Sequence, residues 1–402
     1  MTKAKVLLIS TGQPSLNPRL VKEADALASN GYEVTVLYSH WNDWGARFDK
    51  ILLPAKKWKA ICIGGDPELK PLLYFISKAI YKVARVINKN TRGRWCAEPA
   101  IVRTGYFLIR DAKKYKADIY IGHNLGALPA TVKAAQANQK PCGFDAEDFH
   151  RNEVSDNIDD AEVLIRTHIE NKYFPALNYL TASSPLIASA YSKLFPKLSP
   201  EVVLNVFPTD KRVMKPKISN GPIKLFWFSQ TIGHGRGLEE VIKAFEHFDQ
   251  GTFELHLLGQ MDPAFTISSK IDIHFHEPIP SDEVIHFASH FDIGLAVETG
   301  SPLNRDICLT NKIFTYMQAG LCVVASDTSA QTQLMSEYPG IGEIYQKNST
   351  QALADVLSYY QQHQDELFKA KSTAFDIAKS KLNWETESKN LLTLVDQTLA
   401  NK

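Results

Sequence analysis

Three glycines at alternate positions, Gly233, Gly235 and Gly237, separate an apolar run ending at Phe228 from a helical pattern that starts at Leu238, and His234 and Arg236 stand between them. Glycine lets backbone approach a phosphate closely, and a guanidinium can grip two of its oxygens at once, so the turn suits an anion. A second segment runs Leu309-Thr310-Asn311-Lys312-Ile313-Phe314-Thr315-Tyr316-Met317-Gln318-Ala319-Gly320. It reads as a helix with Thr310 as N-cap, whose free N–H groups and positive dipole end would face an anion, with Lys312 adding a full charge. Taken singly, a tight flexible turn and an ordinary capped helix with a solvated lysine would carry the same residues. The spacing also excludes a cofactor: a dinucleotide fingerprint needs its third glycine where Leu238 stands, so nicotinamide is not expected.

Histidines offer a different chemistry. His274 and His276 are an i, i+2 pair that Asp272 joins on one strand face, and His286 and His290 are an i, i+4 helix pair. Nothing in the spacing brings the two pairs together, and packed or surface histidines are commoner than ligands, so no metal is expected to be required.

These residues need a scaffold. Lys5-Val6-Leu7-Leu8-Ile9-Ser10, a loop with Gly12, a helix from about Leu20 to Asn30 and Glu33-Val34-Thr35-Val36-Leu37-Tyr38 form a strand–helix–strand unit. The alternation recurs at Asp118–Ile121, the helix Pro129–Asn138, Pro141–Asp145 and Asn178–Ala182, which predicts a parallel sheet covered by helices. Between Phe207 and Pro222 it lapses into Pro208, Thr209, Asp210, Lys211, Pro216, Ser219, Asn220 and Gly221, a linker composition. It resumes at Lys224–Phe228, a helix Leu238–Phe248, and strands at Phe253–Leu258, Ile271–Phe275, Ile293–Val297 and Cys322–Ala325. The expected class is α/β, with two Rossmann-like domains over 1–207 and 222–380 and a terminal helix over 384–402 opened by Trp384.

Bulk properties narrow the function. The 402 residues carry 45 basic and 44 acidic side chains, so no general pull toward nucleic acid exists. Five scattered cysteines predict reduced thiols and a cytoplasmic setting. The apolar run Pro71–Ile87 is broken by Lys78, Lys82 and Arg85 and cannot span a bilayer. It reads instead as a basic amphipathic helix within residues 70–94, with Leu73, Ile76, Ile80, Val83 and Ile87 on one face and Lys78, Lys82, Arg85 and Lys89 on the other. Packing of the apolar face onto the sheet is the plainer expectation; reversible docking on an anionic inner membrane face is the sharper one.

Together these segments resemble the family 4 glycosyltransferases, retaining enzymes of the GT-B fold, across nearly the whole chain. Leu16-Asn17-Pro18-Arg19, running into Leu20–Leu27, is similar to the family's first loop and helix, and Val203-Leu204-Asn205-Val206-Phe207-Pro208 resembles the strand and asparagine closing its first domain. Arg236-Gly237 falls where the family has a Lys-Gly pair on the donor diphosphate, and Asn311-Lys312 resembles its phosphate loop. The final helix near Trp384 is similar to one that crosses back to the first domain. The resemblance implies transfer, with retention, of a sugar from a nucleotide-diphosphate donor to a glycan or lipid-linked acceptor in a cleft between the domains. Donor binding is assigned to Gly12, Arg236, Gly237, Glu277, Glu298, Thr310, Asn311, Lys312 and Thr315, with Glu277 toward the base.

Departures accompany the likeness. The paired glutamates that grip the ribose in many members are replaced by Ile307 and Thr315, and the family's Asp-Ala-His-Glu-like stretch reads Asp145-Ala146-Glu147-Asp148-Phe149-His150. Catalysis is assigned to Glu147 and Asp148, reaching the sugar or acceptor hydroxyl, with His150 as partner. The alternatives are a nucleotide-sugar epimerase of similar fold and a catalytically silent, glycosyltransferase-like binding protein.

Overall fold

The computed structural model describes residues 3–217, 221–266 and 271–401. Two compact units emerge, Met1–Leu204 with Pro302–Asn304 and Ser388–Lys402, and Asn205–Ser301 with Arg305–Glu387. Ser219 and Asn220 of the breaker-rich stretch lie outside the described residues.

The first unit is built on strands β1 (Lys5–Ser10), β2 (Glu33–Ser39), β3 (Lys59–Ile63), β4 (Ile119–His123), β5 (Cys142–Ala146), β6 (Tyr179–Ala182) and β7 (Glu201–Val202), in the spatial order β3-β2-β1-β4-β5-β6-β7 and all parallel. Every residue of β4, β5 and β6 is buried, as a parallel sheet covered on both faces demands. The helix Pro18–Ser29 begins where Asn17 accepts a hydrogen bond from the Leu20 N–H at 3.0 Å and Pro18 presets the first turn. In the same unit, Asp396 of the helix Trp384–Ala400 accepts hydrogen bonds from Lys3 Nζ at 2.7 Å and from the Tyr32 hydroxyl.

The second unit holds β8 (Ile223–Ile232), β9 (Phe253–Met261), β10 (Asp272–His276), β11 (Ile293–Ala296), β12 (Cys322–Ser326) and β13 (Gly342–Tyr345), in the order β10-β9-β8-β11-β12-β13. Leu225, Trp227, Leu255, Leu257, Ile293, Leu295, Cys322 and Val324 make the core of that sheet. The helix Asn311–Ala319 ends at Gly320, whose φ of 74° is the left-handed cap conformation that glycine adopts without penalty. Both sheets are two Rossmann-like α/β layers, as the alternating pattern predicts.

Three expectations are corrected. Val203–Pro208 forms no strand: the sheet ends at the two-residue β7, and the Phe207 carbonyl instead accepts from Gln318 Nε2 at 2.5 Å and from the Trp384 N–H at 3.0 Å. The helix after the glycine-rich turn stops at Ala244 and finishes as a single 3₁₀ turn, Phe245–His247. The helix Pro71–Asn90 forms, yet its apolar stripe is not the packed face. Ser77, Ala84 and Asn88 face inward, Leu73 and Ile80 are half-buried, and Ile76, Val83 and Ile87 join Leu72, Phe75 and Val86 in solvent. Periodicity located the stripe correctly; which side packs was decided by Asn88, whose side chain donates to the Trp95 carbonyl at 2.8 Å, and by Arg85, which pairs with Glu162.

Candidate functional site

In each sheet the strand order reverses beside the first strand of the unit, between β1 and β4 and between β8 and β11. Loops leave such a switch point in opposite directions and open a crevice at the carboxyl ends of the strands, where ligands of doubly wound sheets bind.

In the second unit, the loop after β8 is the glycine-rich turn. Gly237 caps the helix Leu238–Ala244 with φ 80°, and a Cβ there would stand 3.0 Å from the Val297 side chain beyond β11, so only glycine brings the loops together. The Gly235 N–H donates to Glu239 Oε1 at 2.9 Å, and Arg305 Nη1 donates to the Gly235 carbonyl at 2.5 Å and to Thr299 Oγ1 at 3.4 Å. Arg236 is exposed and makes no hydrogen bond or ion pair with the described residues. Arg305, from the short helix Leu303–Ile307, thus brings a second guanidinium to this turn; in the sequence only its place between Glu298 and Ile307 marks it.

Across the crevice, Lys312 Nζ donates to Glu298 Oε1 at 2.7 Å, with both side chains 11% exposed. The same ammonium stands 5.7 Å from the Trp227 ring centroid. Glu298 is fixed from behind by its own N–H, which donates to Ser326 Oγ at 2.9 Å. Thr310 occupies the N-cap position of the helix Asn311–Ala319, but its side chain makes no capping hydrogen bond, so the first-turn N–H groups are not closed off by it. Thr315 is 1% exposed and Ile307 8%, so the carboxylates among the residues assigned to donor binding are Glu298 and Glu277. Glu277 is exposed immediately after β10.

In the first unit, Gly12 follows β1, and a Cβ at that position would meet open space. Ser10 Oγ donates to Asn124 Oδ1 at 3.1 Å, closing the β1 and β4 loops toward one another. Beneath them lies a buried charge network of Arg19, Glu23, His123 and Asp145. Asp145, at the end of β5, accepts Arg19 Nε at 2.6 Å, Arg19 Nη2 at 2.7 Å and the Thr181 hydroxyl at 2.6 Å. His123 lies 3.4 Å from Asp145 and 3.0 Å from Glu23. Burial opposes ionisation of Asp145, but Arg19 and His123 outweigh it and hold the carboxyl well below the usual range. Burial likewise opposes charge on His123, and Glu23 and Asp145 overcome it, raising the imidazole to about 10. A histidine at the carboxyl end of an apolar run, as in Ile119–His123, is the sequence signal that marks this position.

Glu147 and Asp148 follow directly. Burial, then repulsion from Asp148, push Glu147 up to about 7. Asp148 is raised by burial and by the charge of Glu153. His150 Nδ1 lies 3.2 Å from Glu153 Oε2, which also accepts Arg166 Nη1 at 2.5 Å. Burial works against charge on His150, yet Glu153, Asp148 and Glu170 raise it. The ring's Nε2 is buried without a hydrogen-bond partner among the described residues, which leaves it free to meet a hydroxyl. The three residues assigned to catalysis therefore share one loop and one electrostatic environment, in which Glu147 is raised toward neutrality.

The histidine grouping takes in one residue, His256, that the spacing did not single out. Among the described residues, His286 and His290 do not join His274; His256 of β9 does, and Glu254, His256 and His274 place ligand atoms within 4.8 Å of one another. Asp148, His150 and Glu153 form a second such group, whose Glu153 already holds the Arg166 cation.

Residues 238–393 match a family model described as Glycosyl transferase-like. No curated protein sequence matches significantly. Among solved structures, the chain is similar to Anabaena Alr3699/HepE in complex with UDP (14% identity, TM-score 0.67, covering 98% of this chain and 100% of that one). It is also similar to sucrose-phosphate synthase from Thermosynechococcus elongatus (13%, TM-score 0.71, 100% of both chains). A third is WaaG, described as a glycosyltransferase involved in lipopolysaccharide biosynthesis (12%, TM-score 0.62, 97% and 98%). The fold is GT-B: two Rossmann-like domains. No helix among the described residues is long and apolar enough to cross a membrane.

Proposed function

We propose that the protein is a glycosyltransferase that takes a sugar from a nucleotide-diphosphate donor bound by the second unit and passes it, with retention, to a glycan or lipid-linked acceptor. The observation that carries the reading is the β8/β11 crevice, where an unpartnered Arg236 on a glycine-rich turn and Lys312 at a helix start sit on a domain of glycosyltransferase-like sequence.

In this reading, Arg236 and Lys312 take the diphosphate and offset the charge that grows on it as the bond to the sugar breaks. Arg305 holds the Gly235 carbonyl and so shapes the turn. Glu298, oriented by Lys312, supplies through its second carboxylate oxygen the ribose contact that Ile307 and Thr315 cannot. No metal is needed for those steps, because two cations and a helix terminus already face the leaving group. In the first unit, Glu147 exchanges a proton near neutrality, and Asp148 and His150 orient the sugar or acceptor hydroxyl.

The exposed stripe Leu72, Phe75, Ile76, Val83 and Val86, beside Lys82 and Lys89, suits a membrane surface, which supports a lipid-linked acceptor. WaaG's role in lipopolysaccharide biosynthesis points the same way. UDP is the first nucleotide to test, since Alr3699/HepE was solved with it.

The test is a thermal-shift series with UDP, GDP, ADP and CMP on the full chain. At about 100 times Kd a ligand stabilises by roughly 2.7 kcal/mol, and Arg236→Ala should abolish the shift. No shift with any nucleotide would overturn the donor assignment. A shift without acceptor-dependent release of nucleotide would favour the silent binding protein, the reading that the absent carboxylates at 307 and 315 support.

A further inference from the structure

We infer that the outer edge of the second sheet carries a site for a divalent transition metal, zinc above all, with Glu254 Oε2, His256 Nε2 and a ring nitrogen of His274 as its ligands. The residues lie on two adjacent strands in strict register: Asp272 stands opposite Glu254, and His274 opposite His256. Since alternate residues of a strand share a face, Glu254, His256, Asp272, His274 and His276 all project from the same side of the β9–β10 pair.

Distances within the group are those of a site close to assembly. Ligands of a tetrahedral ion with bonds of about 2.1 Å stand about 3.4 Å apart. Glu254 Oε2 and His256 Nε2 are already 3.4 Å apart, and the third ligand atom lies within 4.8 Å of both, a gap that one side-chain rotation of His274 closes. The His256 and His274 rings stack at 4.5 Å with an interplanar angle of 12°, so their edges advance to one side together. His276 Nε2 lies 3.0 Å from His256 Nδ1 and accepts its proton when Nε2 is on the metal, the orienting contact that metal-bound imidazoles usually have. His276 is therefore a positioning residue.

Two further features favour a cation here over the other three-residue group. Glu254 has no lysine or arginine ion pair among the described residues, whereas Glu153 of the Asp148–His150 group is neutralised by Arg166. Three protein ligands leave a fourth position to water, the pattern of an open site, and Asp272 stands opposite Glu254 on the neighbouring strand. The set of two imidazoles and one carboxylate suits zinc, which is bound by such N/O ligands in four-coordinate sites. This site is independent of the donor reading, because metal binding is measured without nucleotide or acceptor.

The experiment uses the purified full chain stripped with chelator. Zn²⁺ is titrated by calorimetry and Co²⁺ by visible absorption. One equivalent per chain is expected, with the intense absorption of four-coordinate cobalt. His256→Ala and His274→Ala should each weaken binding about 10- to 100-fold, and His276→Ala should weaken it by a smaller factor. His286→Ala combined with His290→Ala should leave it unchanged. Because His256 also packs on Phe291, at 4.6 Å between rings, each variant is checked by a circular-dichroism melt. Glu254→Gln, on a half-buried side chain, tests the same site with its packing kept. Absence of saturable binding, or wild-type affinity in Glu254→Gln and His274→Ala, or loss in the His286/His290 variant, would overturn the inference.

Discussion

Glu147→Gln separates an acid poised for proton transfer from an ordinary loop carboxylate. The ordinary value for glutamate is 4.5, and burial with the neighbouring Asp148 charge lifts Glu147 to about 7. A carboxyl whose folded-state value lies above its unfolded value binds its proton more tightly in the fold. Between about 4.5 and about 7 the folded chain thus carries more protons than the unfolded one, and stability falls as pH rises through that window. That displacement corresponds to roughly 3 kcal/mol of folding stability lost by pH 8 and regained by pH 4. Glutamine cannot ionise and keeps the shape. In urea denaturation followed by tryptophan fluorescence, the variant should match the wild type near pH 4 and exceed it by about 2–3 kcal/mol at pH 8. Transfer activity should fall and lose its inflection near pH 7. Parallel stability curves for the two proteins from pH 4 to pH 8 would refute the burial and repulsion argument, whatever the activity showed.

Asp145→Asn should strip the buried Arg19 and His123 of their shared counter-charge and lower stability by about 3–5 kcal/mol, seen as a large drop in melting temperature; an unchanged melt would show the network to be hydrated. Arg236→Ala should leave the melting temperature within error and abolish nucleotide binding. Lys312→Ala should lose binding and also about 2–3 kcal/mol of stability, because it strands Glu298; equal melts for the two variants would show that the Lys312–Glu298 pair contributes nothing to the fold. Phe75→Ser with Val83→Ser should reduce co-sedimentation with anionic liposomes at low salt, and Lys82→Glu should weaken it further; equal partition to neutral and anionic vesicles would remove charge from the account.

Much of the architecture was legible in the sequence, since parallel strands buried on both faces must be continuous apolar runs. Val6–Ile9 and Cys322–Ala325 could be little else once breakers and helices of the right length flanked them. The helix around Lys312 was readable for the same reason, its end fixed by Gly320. Local pattern, however, says nothing about long-range partners. The stripe of Ile76 and Val83 was visible, but its outward direction follows from contacts of Arg85 with Glu162 and of Asn88 with Trp95. Val203–Pro208 is apolar enough to be a strand, yet the Phe207 carbonyl is taken by Gln318 and Trp384, far along the chain. Charge is the clearest case. Arg19, His123 and Asp145 are unremarkable apart, and only the β1-β4-β5 order sets them within hydrogen-bond reach in a buried place. There the low local dielectric turns composition into shifted proton affinities, and in the same way the β9–β10 register turns scattered histidines into a set of ligands.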